Sequence, residues 1–264
     1  MAHSTQIFAR VVVFGGQKEF TGATILSSQA ALRTGSGSVK IICSKNTLQI
    51  YSIKFPSVLK TEINNIQQME KFLKKEKITA ILIGPGAGVN KKIKEITKLI
   101  LKKVKYVVLD ADALTCFKND LKSLYLLLDK NKIITPHMAE FHKIFPKIKK
   151  RNSNIEKIKE ASKLIKSNIV LKGPNTIILS YDKKIVINYH SSPELAVIGS
   201  GDVLSGFIGA FLAQGLTPLN ATLAGAFLHG LAADCFVEQN NSNYMVASDL
   251  FEGLRLARNS IKIH

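Results

Sequence analysis

Six short runs of β-branched and aliphatic residues, with helical patterns falling between them, limit the fold of this chain more than any other feature. The runs are 9–14, 39–43, 79–83, Tyr106–Leu109, 132–135 and Asn168–Leu171. Few polar residues interrupt them, as expected for strands buried on both faces of a parallel sheet. Helical spacing of apolar residues fills the intervals at about 23–34, 64–75, 91–104 and 155–166. Beyond Lys172 the pattern changes. Segments 176–180 and 184–190 flank Tyr181-Asp182-Lys183 and predict a β-hairpin with a short polar turn. Three helices then close the chain, at 202–213, at 218–238 with Thr217 as N-cap and Pro218 at the first helical position, and from Ser248-Asp249 to about Ile261. Strand–helix repetition of this kind predicts an α/β fold, a mainly parallel central sheet with helices on both faces. No linker-like tract or internal repeat divides the sequence, so residues 1–264 are read as one domain.

Composition narrows the function classes. No apolar run is long enough to cross a bilayer as a helix. Residues 1–6 show no basic region followed by an apolar stretch, so no signal peptide is expected. Cys43, Cys116 and Cys235 are widely spaced and odd in number, which suits free thiols of a reducing compartment better than disulfides or a zinc site. A cytoplasmic location is the expectation. The chain carries 37 Lys and Arg against 19 Asp and Glu, a net charge of +18, and such an excess raises the question of a polyanionic partner. Only five of the basic residues are arginines (Arg10, Arg33, Arg151, Arg255, Arg258), whereas base reading and bidentate phosphate clamping favour arginine. The lysines instead surround apolar stripes at helical spacing, as in 91–105, where Ile93, Ile96, Ile100 and Val104 share a face. With no tryptophan and no interleaving of aromatic and basic residues, the charge is read as solvated helix surface rather than a nucleic-acid site.

Ligands of open parallel sheets bind beyond the carboxyl ends of the strands. Glycine-rich and polar segments stand at five of those ends. They are Gly15-Gly16 leading to Thr21-Gly22-Ala23, Gly84-Pro85-Gly86-Ala87-Gly88, Asp110-Ala111-Asp112-Ala113-Leu114, Thr135-Pro136-His137 with Glu140, and Lys172-Gly173-Pro174-Asn175-Thr176. A sixth, Gly199-Ser200-Gly201-Asp202, opens a helix. Its converging backbone N–H groups and the positive end of the helix dipole suit an anion. Asp202 beside an anion site is costly unless its carboxylate performs chemistry, as a base that takes a proton from a hydroxyl attacking a bound phosphate. As a mere N-terminal helix charge it would contribute about 0.3–1 kcal/mol.

Taken in order, these segments resemble a known family. Thr21-Gly22-Ala23, the segment Ala30-Ala31-Leu32-Arg33-Thr34-Gly35-Ser36-Gly37, the Gly-Pro-Gly loop, the Asp-Ala-Asp-Ala-Leu and Thr-Pro-His segments, Lys172-Gly173, Gly199 through Gly206, and Leu212-Ala213-Gln214-Gly215 leading to His229-Gly230-Leu231-Ala232 are similar to the ADP/ATP-dependent NAD(P)H-hydrate dehydratases of the ribokinase-like superfamily. The resemblance implies repair of hydrated NADH or NADPH (NADHX, NADPHX), in which water has added across the C5–C6 bond of the nicotinamide ring. The C6 hydroxyl is phosphorylated from ADP or ATP with Mg2+, and phosphate then leaves. It also implies Asp202 as base and Gly199, Ser200 and Gly201 around the transferring phosphate. Lys172, Gly173, Pro174, Asn175 and Thr176 would contact the nucleotide, and Ala23, Gly86, His137 and Asp202 the hydrated dinucleotide. Glu140 would help organise magnesium, through water. Asp110 and Asp112 are read as loop-holding carboxylates and His229 as a buried, satisfied histidine. Family members commonly form homo-oligomers, and bacterial ones are often fused to an epimerase. A chain of 264 residues has no room for that domain, so a separate NAD(P)H-hydrate epimerase is the expected pathway partner. The sequence departs from the family at Val197-Ile198, where a small polar residue and glycine usually precede the phosphate loop. Two other readings share the same loop: a vitamin-precursor kinase of the superfamily, and a basic nucleic-acid-binding relative.

Overall fold

A computed structural model describes residues 9–148, 153–190 and 192–261; residues 1–6, read above for a leader, and Arg151 lie outside the described residues. The strands are β1 (Arg10–Phe14), β2 (Ser38–Cys43), β3 (Leu59–Glu62), β4 (Ala80–Ile83), β5 (Tyr106–Leu109), β6 (Lys132–Ile134), β7 (Asn168–Leu171), β8 (Thr176–Leu179) and β9 (Ile185–Asn188). They form one sheet in the order β3-β2-β1-β4-β5-β6-β7-β8-β9. β3 through β7 run parallel, with Val11 paired to both Val39 and Ala80, while β8 and β9 return antiparallel as the predicted hairpin. The chain winds outward from β1 to β3 and then restarts at β4 on the other side of β1. That reversal leaves a crevice at the carboxyl ends of β1 and β4.

Alternation along each strand builds the two faces. Val12, Phe14, Ile81, Ile83, Val107 and Leu109 point to one core, and Val11, Val13, Ala80, Leu82 and Val108 to the other. The helices are α1 (Thr21–Arg33), α2 (Lys45–Lys54), α3 (Ile66–Lys75), α4 (Lys91–Lys103), α5 (Ala111–Thr115), α6 (Leu121–Leu127), α7 (Met138–Ile144), α8 (Asn154–Leu164), α9 (Ser200–Ala213), α10 (Pro218–Asn240) and α11 (Leu250–Ser260). Met69, Ile93, Ile96, Leu114, Phe141 and Ile158, from α3 to α8, fill the first core; Ala31 of α1 with Leu204 and Ile208 of α9 fill the second. Each fully buried aliphatic side chain contributes about 1.5–3 kcal/mol relative to exposure. The lysines of α4 ring its outer side while Ile93, Ile96 and Ile100 are buried, as the spacing predicts.

Several elements differ from the sequence expectation. β3, α2 and the short helices α5, α6 and α7 are additional. The edge strand Leu-Lys-Thr-Glu is polar and half-exposed, and α2 buries only Thr47 and Tyr51. α1 and α9 each start two residues early, at Thr21 and Ser200. Asp249 does not cap α11 with its side chain. Its Oδ2 accepts from the Val246 N–H at 2.8 Å and holds the preceding 3-10 turn Ala247–Asp249. Among the described residues no helix is long and apolar enough to cross a membrane.

Helix α9 lies deep in the molecule. A Cβ at Gly206 would fall 2.3 Å from the Ser27 carbonyl oxygen of α1, and one at Gly225 of α10 would fall 2.6 Å from the Ile208 side chain. Only glycine permits these approaches, and they fix the height of α9 between its two neighbours.

Candidate active site

Two walls of different chemistry enclose the carboxyl ends of the central strands. The first is backbone. Gly16 and Gly84 have φ of 62° and 127°, a region open to glycine but strained for other residues. Their loops are laced together. Gly16 N–H donates to the Pro85 carbonyl at 2.9 Å, Gln17 N–H to the Gly86 carbonyl at 2.7 Å, and Thr24 Oγ1 to the Pro85 carbonyl at 3.3 Å. Asp112 Oδ2 accepts from the Gly88 N–H at 2.8 Å, which is the loop-holding part expected of it. Ala23 stands half-buried in the first turn of α1, and Gly86 abuts Phe20 just before that helix. These interactions bring Ala23 and Gly86 to one wall.

Charge dominates the second wall. Lys172 follows β7, where a bridge to His137 and a 2.9 Å bond from its N–H to the Pro136 carbonyl fix its backbone. Its Nζ donates to Asp110 Oδ1 at 2.7 Å. Asp110, 1% exposed, also accepts at Oδ1 from the Ala111 N–H at 2.9 Å and at Oδ2 from Ser205 Oγ at 2.5 Å. Thr135 Oγ1 lies 3.4 Å from Ser205 Oγ. Burial alone would lower the Lys172 pKa. Asp110, Glu140 and Asp202 outweigh burial and raise it above its ordinary value, so the ammonium persists.

Gly199, in the loop that the sequence suits to an anion, has φ 93°, and α9 begins at Ser200. A Cβ at Gly201 would lie 3.1 Å from Lys172 Nζ, so the ammonium sits directly over this loop. Asp202 N–H donates to the Gly199 carbonyl at 3.1 Å. Burial, reinforced by the charge of Asp110 and opposed by Lys172, pushes the Asp202 carboxyl up to about 7, with Glu140 and Asp112 adding to the rise. A carboxylate with that affinity for protons is suited to proton transfer at neutral pH.

His137 caps α7, its Nδ1 accepting from the N–H groups of Ala139 and Glu140 at 3.1 and 3.4 Å, while Glu140 Oε2 accepts from the His137 N–H at 2.9 Å. Glu140 is thereby held at the cleft. His229 is buried, as expected, with Nε2 3.0 Å from both the hydroxyl and the carbonyl oxygen of Ser200. Desolvation lowers its pKa to about 4, so it is neutral and supports the loop.

Beside the charged wall opens a cavity of about 540 Å³. Lys172, Gly173, Pro174, Thr176, Ser200, Gly201 and His137 line it on the loop side, with Leu195, Val197, Leu204 and Ala226 on the apolar side. Its size and mixed lining fit a nucleotide-sized ligand. Asn175 is exposed at the loop tip and is not among the lining residues. Ile198 points wholly outward and Val197 lines the cavity, so the departure from the family pattern changes the cavity wall without crowding the phosphate loop. Sequence reasoning missed Ser205 and underrated Asp110. A serine on the core-facing side of an otherwise apolar helix was the available signal.

Among the described residues, no three His, Cys, Asp or Glu side chains converge into a closed metal cage. The site instead offers carboxylate oxygens near the Gly199–Gly201 loop. Magnesium commonly binds through one or two carboxylates together with ligand phosphates and water, so this donor set fits it.

Comparison with known proteins decides the family. The family model for NAD(P)H-hydrate dehydratases matches residues 11–255. The ADP-dependent (S)-NAD(P)H-hydrate dehydratase of Neisseria meningitidis is 32% identical over 261 residues, covering 96% of this chain and 86% of that protein. The chain belongs to the NAD(P)H-hydrate dehydratase family. A bifunctional NAD(P)H-hydrate repair enzyme from Dictyoglomus turgidum is 31% identical over 94% of the chain, and the match spans only 50% of that longer relative. Structures of relatives carry the same fold. An ADP/ATP-dependent NAD(P)H-hydrate dehydratase from Bacillus subtilis, co-crystallized with ATP/Mg2+ and soaked with CoA, superposes with TM-score 0.78 at 26% identity, covering 95% of this chain and 91% of that one. A ribokinase-like superfamily protein from Enterococcus faecalis gives TM-score 0.83 at 24% identity over 97% and 88%. The family fold is thus ribokinase-like here, as the sequence resemblance implied.

Proposed function

We propose that the chain is an ADP-dependent (S)-NAD(P)H-hydrate dehydratase. The observation that carries this reading is Asp202, a carboxylate tuned to about 7 at the start of α9, beneath the Lys172 ammonium and beside the nucleotide-sized cavity. Lys172 to Thr176 and Gly199 to Gly201 are assigned to the nucleotide and its transferring phosphate. Ala23, Gly86, His137 and Asp202 are assigned to the hydrated dinucleotide, and Glu140 to magnesium through water. Bound magnesium would supply positive charge to the phosphate oxygens.

In the first step Asp202 takes the proton of the C6 hydroxyl, whose oxygen bonds to the terminal phosphorus of ADP as the bond to AMP breaks. Lys172 and the Gly199–Gly201 N–H groups balance the charge on the phosphoryl oxygens. In the second step the C6–O bond breaks with help from the ring nitrogen lone pair, inorganic phosphate departs, and loss of a C5 proton restores the double bond. Phosphorylation turns a poor leaving group into a good one, which is how a kinase-like site comes to act as a hydro-lyase.

The setting proposed is cytoplasmic, with an NAD(P)H-hydrate epimerase as pathway partner and assembly as a homo-oligomer. Purified protein given NADH hydrate, ADP and Mg2+ is expected to restore the absorbance of reduced nicotinamide, and the same assay with ATP ranks the donors. Accumulation of a stable phosphorylated product without recovery of that absorbance would assign the site to a small-molecule kinase instead.

A further inference from the structure

We infer that Asp110 is a positioning residue of this reaction, acting through Lys172 to hold the ammonium over the phosphate loop; the inference rests on the proposed function. Every lone-pair direction that Asp110 uses is directed inward. Oδ1 is shared by Lys172 Nζ (2.7 Å) and the Ala111 N–H (2.9 Å), and Oδ2 receives the Ser205 hydroxyl (2.5 Å). At 1% exposure Asp110 has no surface with which to touch a ligand, whereas the Lys172 side chain keeps 18% of its own. The ion pair therefore has a buried anchor and a reachable end. That end lies 3.1 Å from where a Gly201 Cβ would stand, so the anchor decides where the positive charge meets a phosphate. A lysine stem has four rotatable bonds and places its charge loosely unless something fixes it.

The same carboxylate faces Asp202 electrostatically. The charged groups acting on Asp202 are Asp110, Lys172, Glu140 and Asp112, and Asp110 and Lys172 act on it in opposite senses. His229, on the α10 side of the loop, is neutral and adds no charge. Removing the Asp110 charge must move the ionisation of the base downward, an effect that a purely structural role would not produce.

Two measurements test this. The acid limb of the kcat/KM profile for NADH hydrate in Asp110→Asn is expected about half a pH unit or more below that of wild type. A limb that stays in place would overturn the inference. ADP affinity by calorimetry in Lys172→Met, Asp110→Asn and the double variant forms a thermodynamic cycle. The double variant leaves no unpaired charge in the pair, which keeps it usable even where Asp110→Asn alone fails to fold. If Asp110 works through Lys172, the double variant binds ADP within about twofold of Lys172→Met, within the usual additivity error. A further loss of tenfold or more in the double variant would sink the idea. Should wild type fail to restore NADH, the proposed function falls, while the ADP cycle still reports on the Asp110–Lys172 coupling.

Discussion

The two walls of the cleft solve different problems with different parts of the chain. On the side of β1 and β4 the structure spends glycines. Gly16, Gly84, Gly86 and Gly88 all have positive φ, and the wall they form carries backbone groups and one supporting carboxylate, Asp112. On the side of β5, β6, β7 and α9 it concentrates charge, with Lys172 and Asp202 acting on each other and both acted on by Asp110 and Glu140. Backbone cannot drift in its protonation, so the first wall can define shape at any pH. Side-chain charge can be tuned, so the second wall can drive chemistry, at the cost of sensitivity to pH and to every neighbour. The difference teaches that binding and turnover should separate when one wall is changed at a time.

The largest effect should come from the charged wall. Asp202→Asn is expected to lower kcat by about 10²–10⁴-fold, the usual contribution of a general base, with calorimetric ADP affinity retained. Full activity in that variant would remove Asp202 from the chemistry. Next comes pH. With its pKa at about 7, Asp202 must lose a proton to act, so kcat/KM should fall about tenfold per unit below that point and level off above it. A flat profile between pH 5 and 8 would break the assignment.

The glycine wall should respond otherwise. In Gly86→Ala the new Cβ would lie 2.6 Å from the Phe20 carbonyl oxygen at a φ of 61°. The expected result is a stability loss of about 1–3 kcal/mol and a rise in KM for NADH hydrate, with ADP affinity unchanged. Equal damage to both ligands would show that the two walls are not separable.

Stability offers a smaller and oppositely signed test. The folded pKa of Asp202 stands above its ordinary carboxylate value, so between about pH 4 and 7 the native state binds more protons than the unfolded state. Stability from this group is present at low pH and is lost as pH rises through about 7. Asp202→Asn should therefore melt roughly 2–5 °C higher than wild type at pH 8 and no higher at pH 4, read by calorimetry. Smallest of all, Lys102→Gln with Lys103→Gln, on the last turn of α4 far from either wall, should lower stability by no more than about 1 kcal/mol and leave turnover intact. Tight salt-sensitive nucleic-acid retention by wild type, lost in this variant, would instead revive the basic surface as a binding site.

What the sequence made readable follows from where each element sits. Val11 to Phe14 or Ile81 to Ile83 are apolar because both sheet faces are covered, so their runs stand out. β3 does not, because an edge strand keeps Lys60 and Glu62 in reach of water, and α2 buries too little to set up a clear stripe. The loops were readable because positive φ and close backbone approach demand glycine. The Asp110–Lys172 pair was not. Its two members lie 62 residues apart and meet only because β5 and β7 flank β6 in one parallel sheet. Ser205 is harder still, since a small polar residue inside a largely apolar helix shows its partner only when the helix is docked.

The glycine contacts of α9 bear on how such a site adapts. With Gly206 against Ser27 and Gly225 against Ile208, the helix that begins beside Asp202 has no freedom to slide or roll. The Asp202 carboxylate is a fixed datum set by the interior, while the reach, depth and polarity of the cleft belong to loops that can be lengthened or exchanged around it. A lineage built on this frame can change what it accepts by rewriting those loops, and keep the position of that carboxylate without revising it.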